Sequence, residues 1–125
     1  PAAVPLPTSL VRHQLPARLR FEGAERPWRP GERRALRLRA ENTGEALWLA
    51  TEKGPGGVAL ELTWQAEGRS ETLPWLPLPR DVPPGGSVEL GLALRRPLGA
   101  SVRLRAAVRA LEMPEVEGGE ACFEL

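Results

Sequence analysis

Isoleucine and tyrosine are missing from this chain of 125 residues. Cysteine, histidine, methionine, lysine, aspartate and asparagine each occur once. Each shortage excludes something. The lone cysteine, Cys122, rules out an intrachain disulfide. That favours a reducing, cytoplasmic setting slightly and leaves an extracellular one open. The lone histidine, His13, removes multi-histidine metal sites and any triad that does not run through that one residue. The lone aspartate, Asp81, stands far from the acidic stretch Glu112, Glu115, Glu117 and Glu120, which therefore lacks the aspartate-rich spacing of a calcium loop and reads as solvated. No apolar run approaches the length of a membrane span. Pro1 to Pro7 is uncharged, unlike a secretory signal with its basic start.

Charge of either sign is not in excess. Seventeen basic and 16 acidic groups leave a net charge of +1, which gives no electrostatic ground to expect nucleic acid or an anionic membrane. The basic groups are nearly all arginine and the acidic ones nearly all glutamate, a usage that a GC-rich genome and a thermophile share. Hydrophobic residues make up 42%, enough for one packed domain and too few residues for a second.

What the chain does have is alternation. Leu36-Arg37-Leu38-Arg39-Ala40-Glu41 places apolar and charged residues by turns. Val58 to Gln65, Val88 to Arg95 and Val102 to Ala106 do the same. This two-residue rhythm is that of antiparallel sheet with one face packed and one in water. Thirteen glycines and 14 prolines cluster between the runs, as at Pro30-Gly31, Thr43-Gly44 and Pro83-Pro84-Gly85-Gly86, and exclude long helices. Strands are predicted at 16–22, 33–42, 45–50, 57–66, 69–75, 87–95, 101–111 and 119–125. Strand is favoured over helix from Ala100 to Met113 because Val102, Leu104, Ala106 and Val108 keep the rhythm. The prolines of Leu73–Pro79 confine that stretch to an edge or a crossing between sheets. Asn42 is kept against the bias of the chain, directly before Thr43-Gly44, and is assigned a backbone role in a turn between strands. Trp48 and Trp64 fall on apolar phases and are expected to fill the space between two sheets.

Several of these segments resemble bacterial immunoglobulin-like modules. Trp28-Arg29-Pro30-Gly31-Glu32 is similar to their turn before one strand, and Asn42-Thr43-Gly44 leading to Trp48 to the link into the next. Trp64 with Gly68, and Leu78-Pro79-Arg80-Asp81-Val82-Pro83-Pro84-Gly85, resemble a hairpin and a connection of those modules. Such β-sandwiches stand beside catalytic domains in some bacterial glycosyltransferases and, more loosely, form cell-adhesion-type repeats. The resemblance covers residues 15 to 125. It implies an all-β, immunoglobulin-like antiparallel β-sandwich of about seven or eight strands, after an extended Pro/Ala-rich segment at 1–14. Two places depart from the family pattern: Gly99-Ala100-Ser101-Val102 lacks its tyrosine, and the closing aromatic pair is reduced to Cys122-Phe123.

No catalytic signature appears. Ser9, Ser70, Ser87 and Ser101 lack a nucleophile elbow. The glycines form no phosphate loop, and Cys122 has no basic neighbours in sequence and reads as a small buried hydrophobe. Arg33, Arg37 and Arg39 share one strand phase, as do Arg103, Arg105 and Arg109, and would form a basic face only if their strands were neighbours; a solvated face interleaved with glutamate is favoured. The expectation is a non-enzymatic module without metal or cofactor, acting on another protein or domain. The alternatives are a carbohydrate-binding module and an adhesion repeat. Trp28 and Trp75, both in proline-rich connections, are the candidate ligand or partner surface, although burial against the sandwich end is favoured over that role because large aromatics usually bury most of their area.

Overall fold

Strands form where the apolar–polar rhythm runs longest, and the turns between them are built from proline followed by glycine. A computed structural model of the chain describes residues 14–23, 27–54, 56–99, 101–111 and 117–124. Among them, strand segments run in chain order as β1 (Gln14–Leu15), β2 (Ala17–Glu22), β3 (Arg33–Asn42), β4 (Val58–Ala66), β5 (Arg69–Thr72), β6 (Leu76–Pro77), β7 (Ser87–Arg95), β8 (Val102–Ala110), β9 (Glu117–Gly118) and β10 (Glu120–Glu124). A 3-10 turn at Thr51–Lys53 is the one helical element among these residues. Pro16 divides β1 from β2, Gly119 divides β9 from β10, and Leu73–Trp75 divide β5 from β6.

The segments make an all-β sandwich. One sheet has the order β2-β3-β7, all antiparallel. The other has the order β10-β8-β4-β5, with β6 pairing on the same side of β4 as β5. The proline-rich stretch thus forms a sheet edge, where a missing N–H donor costs least. β1 pairs in parallel with β9, so β1 lies beside the second sheet and the chain steps into the first at Pro16.

Alternation decides which side chains go inside. In β3, Leu36, Leu38 and Ala40 are buried while Arg33, Arg37 and Arg39 are exposed. In β8, Val102, Leu104, Ala106 and Val108 are buried, which settles that segment as strand. Trp48 and Trp64 lie inside with Leu60, Leu62 and Leu104. A buried indole removes about 200 Å² from water, worth several kcal/mol.

Two turns share one geometry. Glu32 N–H donates to Arg29 O at 3.0 Å, with Pro30 in the second position and Gly31 at φ 78° in the third. Gly86 N–H donates to Pro83 O at 2.8 Å, with Pro84 and Gly85 at φ 79° in the same places. Proline sets the first angle and glycine alone accepts the second, the requirement of a type II turn.

Asn42 ends β3 rather than standing in the turn after it, and its side chain is fully buried. Its Nδ2 donates to Ala46 O at 2.7 Å and Val82 O at 3.0 Å, and its Oδ1 accepts from Gly44 N–H at 3.1 Å. The strand expected at 45–50 is a crossing segment instead. It is joined through isolated bridges, among them Trp48 to Val82 and Leu49 to Gly57, rather than through a ladder. Asp81 holds the crossing by accepting from Ala50 N–H at 2.8 Å. Thr51 Oγ1 holds it too, donating to Val58 O and accepting from Leu78 N–H, both at 2.5 Å.

Candidate interaction surface

The two long sides of the sandwich differ. Where β2 faces β10, the sheets close on each other. Phe21 and Phe123 meet edge to face with ring centroids 4.6 Å apart. Gly119 N–H donates to Leu15 O at 3.0 Å and its carbonyl accepts from Val108 N–H at 2.9 Å. A Cβ on Gly118 would overlap the Val108 carbonyl, and one on Gly119 would stand 2.7 Å from Ala17 N. Only glycine lets three segments approach this closely.

Where β7 faces β5 and β6, the sheets splay. The inward side chains Leu90, Leu92 and Leu94 of β7, and Leu73 and Leu76 opposite, are only half-buried. At one end of this open side Trp64, Leu73, Leu94, Pro97 and Leu98 line a groove of about 590 Å³. Leu98 at its rim is 71% exposed, and Trp75 on the β5–β6 connection is 39% exposed.

The two candidate tryptophans are therefore placed differently. Trp28 is buried, because four groups surround it. Trp64 packs edge to face at 5.5 Å, and the Arg34 guanidinium lies 5.4 Å over its ring. Its Nε1 donates to Glu32 O at 2.7 Å, and its carbonyl accepts from Arg96 Nη1 at 2.5 Å. It is thus a wedge under the groove and offers no open ring face. Trp75 stays at the surface. Arg96, which the sequence did not single out, is buried with its guanidinium on the carbonyls of Trp28 and Gly99. No sequence signal separates it from Arg95 beside it.

Glu32 braces the Arg29–Glu32 turn, whose Gly31 lines the groove. Its Oε1 accepts from Arg29 N–H at 3.0 Å and its Oε2 from Arg34 Nη2 at 3.2 Å. The Arg29 backbone bond above all holds this carboxyl below its ordinary range; desolvation opposes it, and the Arg34 hydrogen bond and charge add to the lowering.

The arginine sets do not unite, because β3 and β8 lie in different sheets. On the second sheet's outer face each arginine meets a glutamate: Arg103 with Glu124 at 2.7 Å, Arg105 with Glu120 at 2.5 Å, Arg109 with Glu61 at 3.5 Å. The Glu120 contact lifts the Arg105 guanidinium further above its usual value. The first sheet's outer face carries Arg18, Arg20, Arg33, Arg37, Arg39 and Arg95 against Glu22, Glu41 and Glu89. Arg20 lies directly opposite Arg39, and Arg33 opposite Arg95.

Cys122 is exposed, contrary to the expected burial, because β10 turns Ala121 and Phe123 inward and Glu120, Cys122 and Glu124 outward. His13, Ser9 and most of the acidic stretch, Glu120 apart, lie outside the described residues or side chains, as does the 1–14 segment save Gln14. Among the described residues no three histidine, cysteine, aspartate or glutamate side chains gather as a metal cluster, and no helix is long and apolar enough to cross a membrane. No protein-family model and no curated protein sequence matches the chain.

Proposed function

We propose that this chain is a non-catalytic, immunoglobulin-like module that acts by recognising another protein or domain through the open side of its sandwich. The observation that carries the reading is the groove over Trp64, mostly apolar with Glu71, Arg95 and Arg96 in its walls and exposed Leu98 at its rim. Apolar surface left contiguous on a soluble chain marks a contact site. The strand order supports the immunoglobulin-like description: an entering strand switches sheets at Pro16, and a three-stranded sheet faces a five-stranded one whose β5 and β6 share one edge. A photo-crosslinking side chain in place of Leu98, with the same group in place of Gln65 on the neutral outer face as control, tests the reading in cells. A discrete adduct to a different protein from position 98 alone is the expected result. No such adduct, or the same pattern from both positions, removes it.

Trp75 favours a second reading, carbohydrate binding by stacking on its exposed ring. A glycan array with wild type and Trp75→Ala separates the two. Sugars bound by the first and lost by the second support this reading, and silence from both discards it.

A further inference from the structure

β7 is a free edge, and an unusual one. It pairs with β3 on one side and with no described strand on the other, where Ser87 O accepts from Arg80 Nη2 at 2.6 Å. Sheet edges are ordinarily kept short, charged or broken by proline, because their unpaired N–H and C=O groups invite a second strand. β5 on the same side of the sandwich follows that rule: four exposed polar residues, then Pro74 and Pro77. β7 runs nine residues without a proline, five of them apolar.

The phase of its hydrogen bonds is fixed by the ends of the β3–β7 ladder. Arg96 N–H donates to Glu32 O, and Asn42 N–H to Gly86 O, both at 2.9 Å. Antiparallel partners alternate between bonded and non-bonded pairs. Val88, Leu90, Leu92 and Leu94 therefore turn their backbone groups to β3. The N–H and C=O groups of Ser87, Glu89, Gly91, Ala93 and Arg95 point to the open edge.

The strand's sequence is complementary to itself. Laid antiparallel on a second copy about Leu92, Glu89 meets Arg95, Leu90 meets Leu94, Gly91 meets Ala93, and Leu92 meets its own counterpart. The bonded pairs of that register, Glu89 with Arg95 and Gly91 with Ala93, are the residues whose backbone groups are open. Gly91 and Ala93 leave the seam uncrowded. The neighbouring registers, about Gly91 or about Ala93, set Glu89 against Ala93 or Pro97 and lose both ion pairs.

The charges within one chain ask for this partner. Arg95 stands directly opposite Arg33 and has no carboxylate in salt-bridge contact among the described residues; its Nη1 rests on Gly31 O at 3.1 Å. Across the seam it would face Glu89 of the second copy, giving a row of Arg39, Glu89, then Arg95 and Arg33 of the other chain. The half-buried Leu90, Leu92 and Leu94 would gain leucine neighbours on the inner face.

We infer that two copies of this chain associate through β7, paired antiparallel about Leu92, so that their three-stranded sheets join into one of six strands around a twofold axis. The interface is isologous, so each favourable pair occurs twice. This goes beyond the groove reading, with which it shares Ala93, Leu94 and Arg95, and the two are told apart: a monomer in solution sinks the dimer and leaves the groove standing, whereas an adduct from position 98 to a second copy instead of a different protein counts for the dimer and against the groove.

The test is analytical ultracentrifugation of the full chain over a range of concentrations. A species of twice 13.6 kDa is expected. Glu89→Arg or Arg95→Glu alone, each replacing two attractions by two repulsions, is expected to raise the dissociation constant by roughly tenfold or more. The double swap restores it. Ala93→Pro, which removes an N–H pointing only to the open edge, abolishes the dimer while leaving the melting transition cooperative. On a Cys122→Ser background, Leu92→Cys forms an interchain disulfide under mild oxidation, whereas Leu90→Cys alone does not, because its partner is position 94. A monomer at every soluble concentration overturns the inference. So does a dimer that ignores the charge swaps, or one whose disulfide forms equally from position 90.

Discussion

One long side of this sandwich is shut and the other stands ajar, although both are built from the same alternating strands. On the shut side the contacts are too close to admit a side chain: Gly118 and Gly119 let β9 and β10 lie against Val108 and Ala17, and Phe21 and Phe123 close the gap beyond them. On the open side leucines stand where the aromatics would be needed, and β7 and β5 do not meet. Packing density and surface recognition are thus divided between two sides of one core. Close-packed interiors transmit any added volume as strain. A side already open to water does not.

The difference is sharpest at Gly118. Gly118→Ala should cost about 3 kcal/mol or more, since the new methyl overlaps a backbone carbonyl that β8 cannot withdraw without losing its ladder. The same class of change on the open side, Gly91→Ala, meets no atom within 4 Å and should leave the melting temperature nearly unchanged. Urea titrations of the two variants side by side check this. Equal losses would mean that the two sides are packed alike.

Truncation gives the next largest effect. Phe21→Ala removes a buried ring and its edge-to-face partner, with an expected loss of about 3–4 kcal/mol. Leu92→Ala removes a half-buried side chain whose outer half is already wet, with an expected loss of about 1 kcal/mol. Both figures come from the chemical denaturation midpoint of the monomeric state, measured where dilution or Ala93→Pro holds the chain as single copies.

Much of the architecture was legible because it depends on neighbours in sequence. Arg33–Asn42 and Ser87–Arg95 were predicted with the bounds observed, since a strict two-residue rhythm leaves no second interpretation. The proline-rich edge at Leu73–Pro79 followed from missing donors. What failed depends on distant partners. Ala46 to Ala50 reads like a strand, but its partners are single residues, Val82 and Gly57, so no ladder forms. Burial is favoured from sequence for Trp28 and Trp75 alike and holds for Trp28, but only the distant Trp64 and Arg96 decide that it is the buried one and Trp75 the exposed one. Cys122 depends on the phase of a five-residue strand, which one residue's shift inverts. The open side was not legible at all. β3 and β7 show the same alternation, and nothing local states which of them is central and which is the edge.

The smallest effect concerns acid, which should reach the open side first. The close contacts of the shut side use apolar and backbone groups, whereas the turn whose Gly31 lines the groove is tied by the ionised Glu32, through Arg29 N–H and the Arg34 guanidinium that lies on Trp28. A carboxyl held below its ordinary range binds a proton more readily in the unfolded chain than in the folded one. Its contribution is therefore fully present above the ordinary glutamate value near pH 4.5 and is lost as pH falls through the lower folded value. Below that range, tryptophan fluorescence should report loosening around Trp28 and Trp64 before the far-ultraviolet signal of the strands changes. Glu32→Gln should be slightly less stable than wild type at neutral pH and should draw level with it in acid. A variant that tracked wild type at every pH would show that the turn is held by Pro30 and Gly31 alone, and that the two sides of the sandwich differ in packing but not in charge.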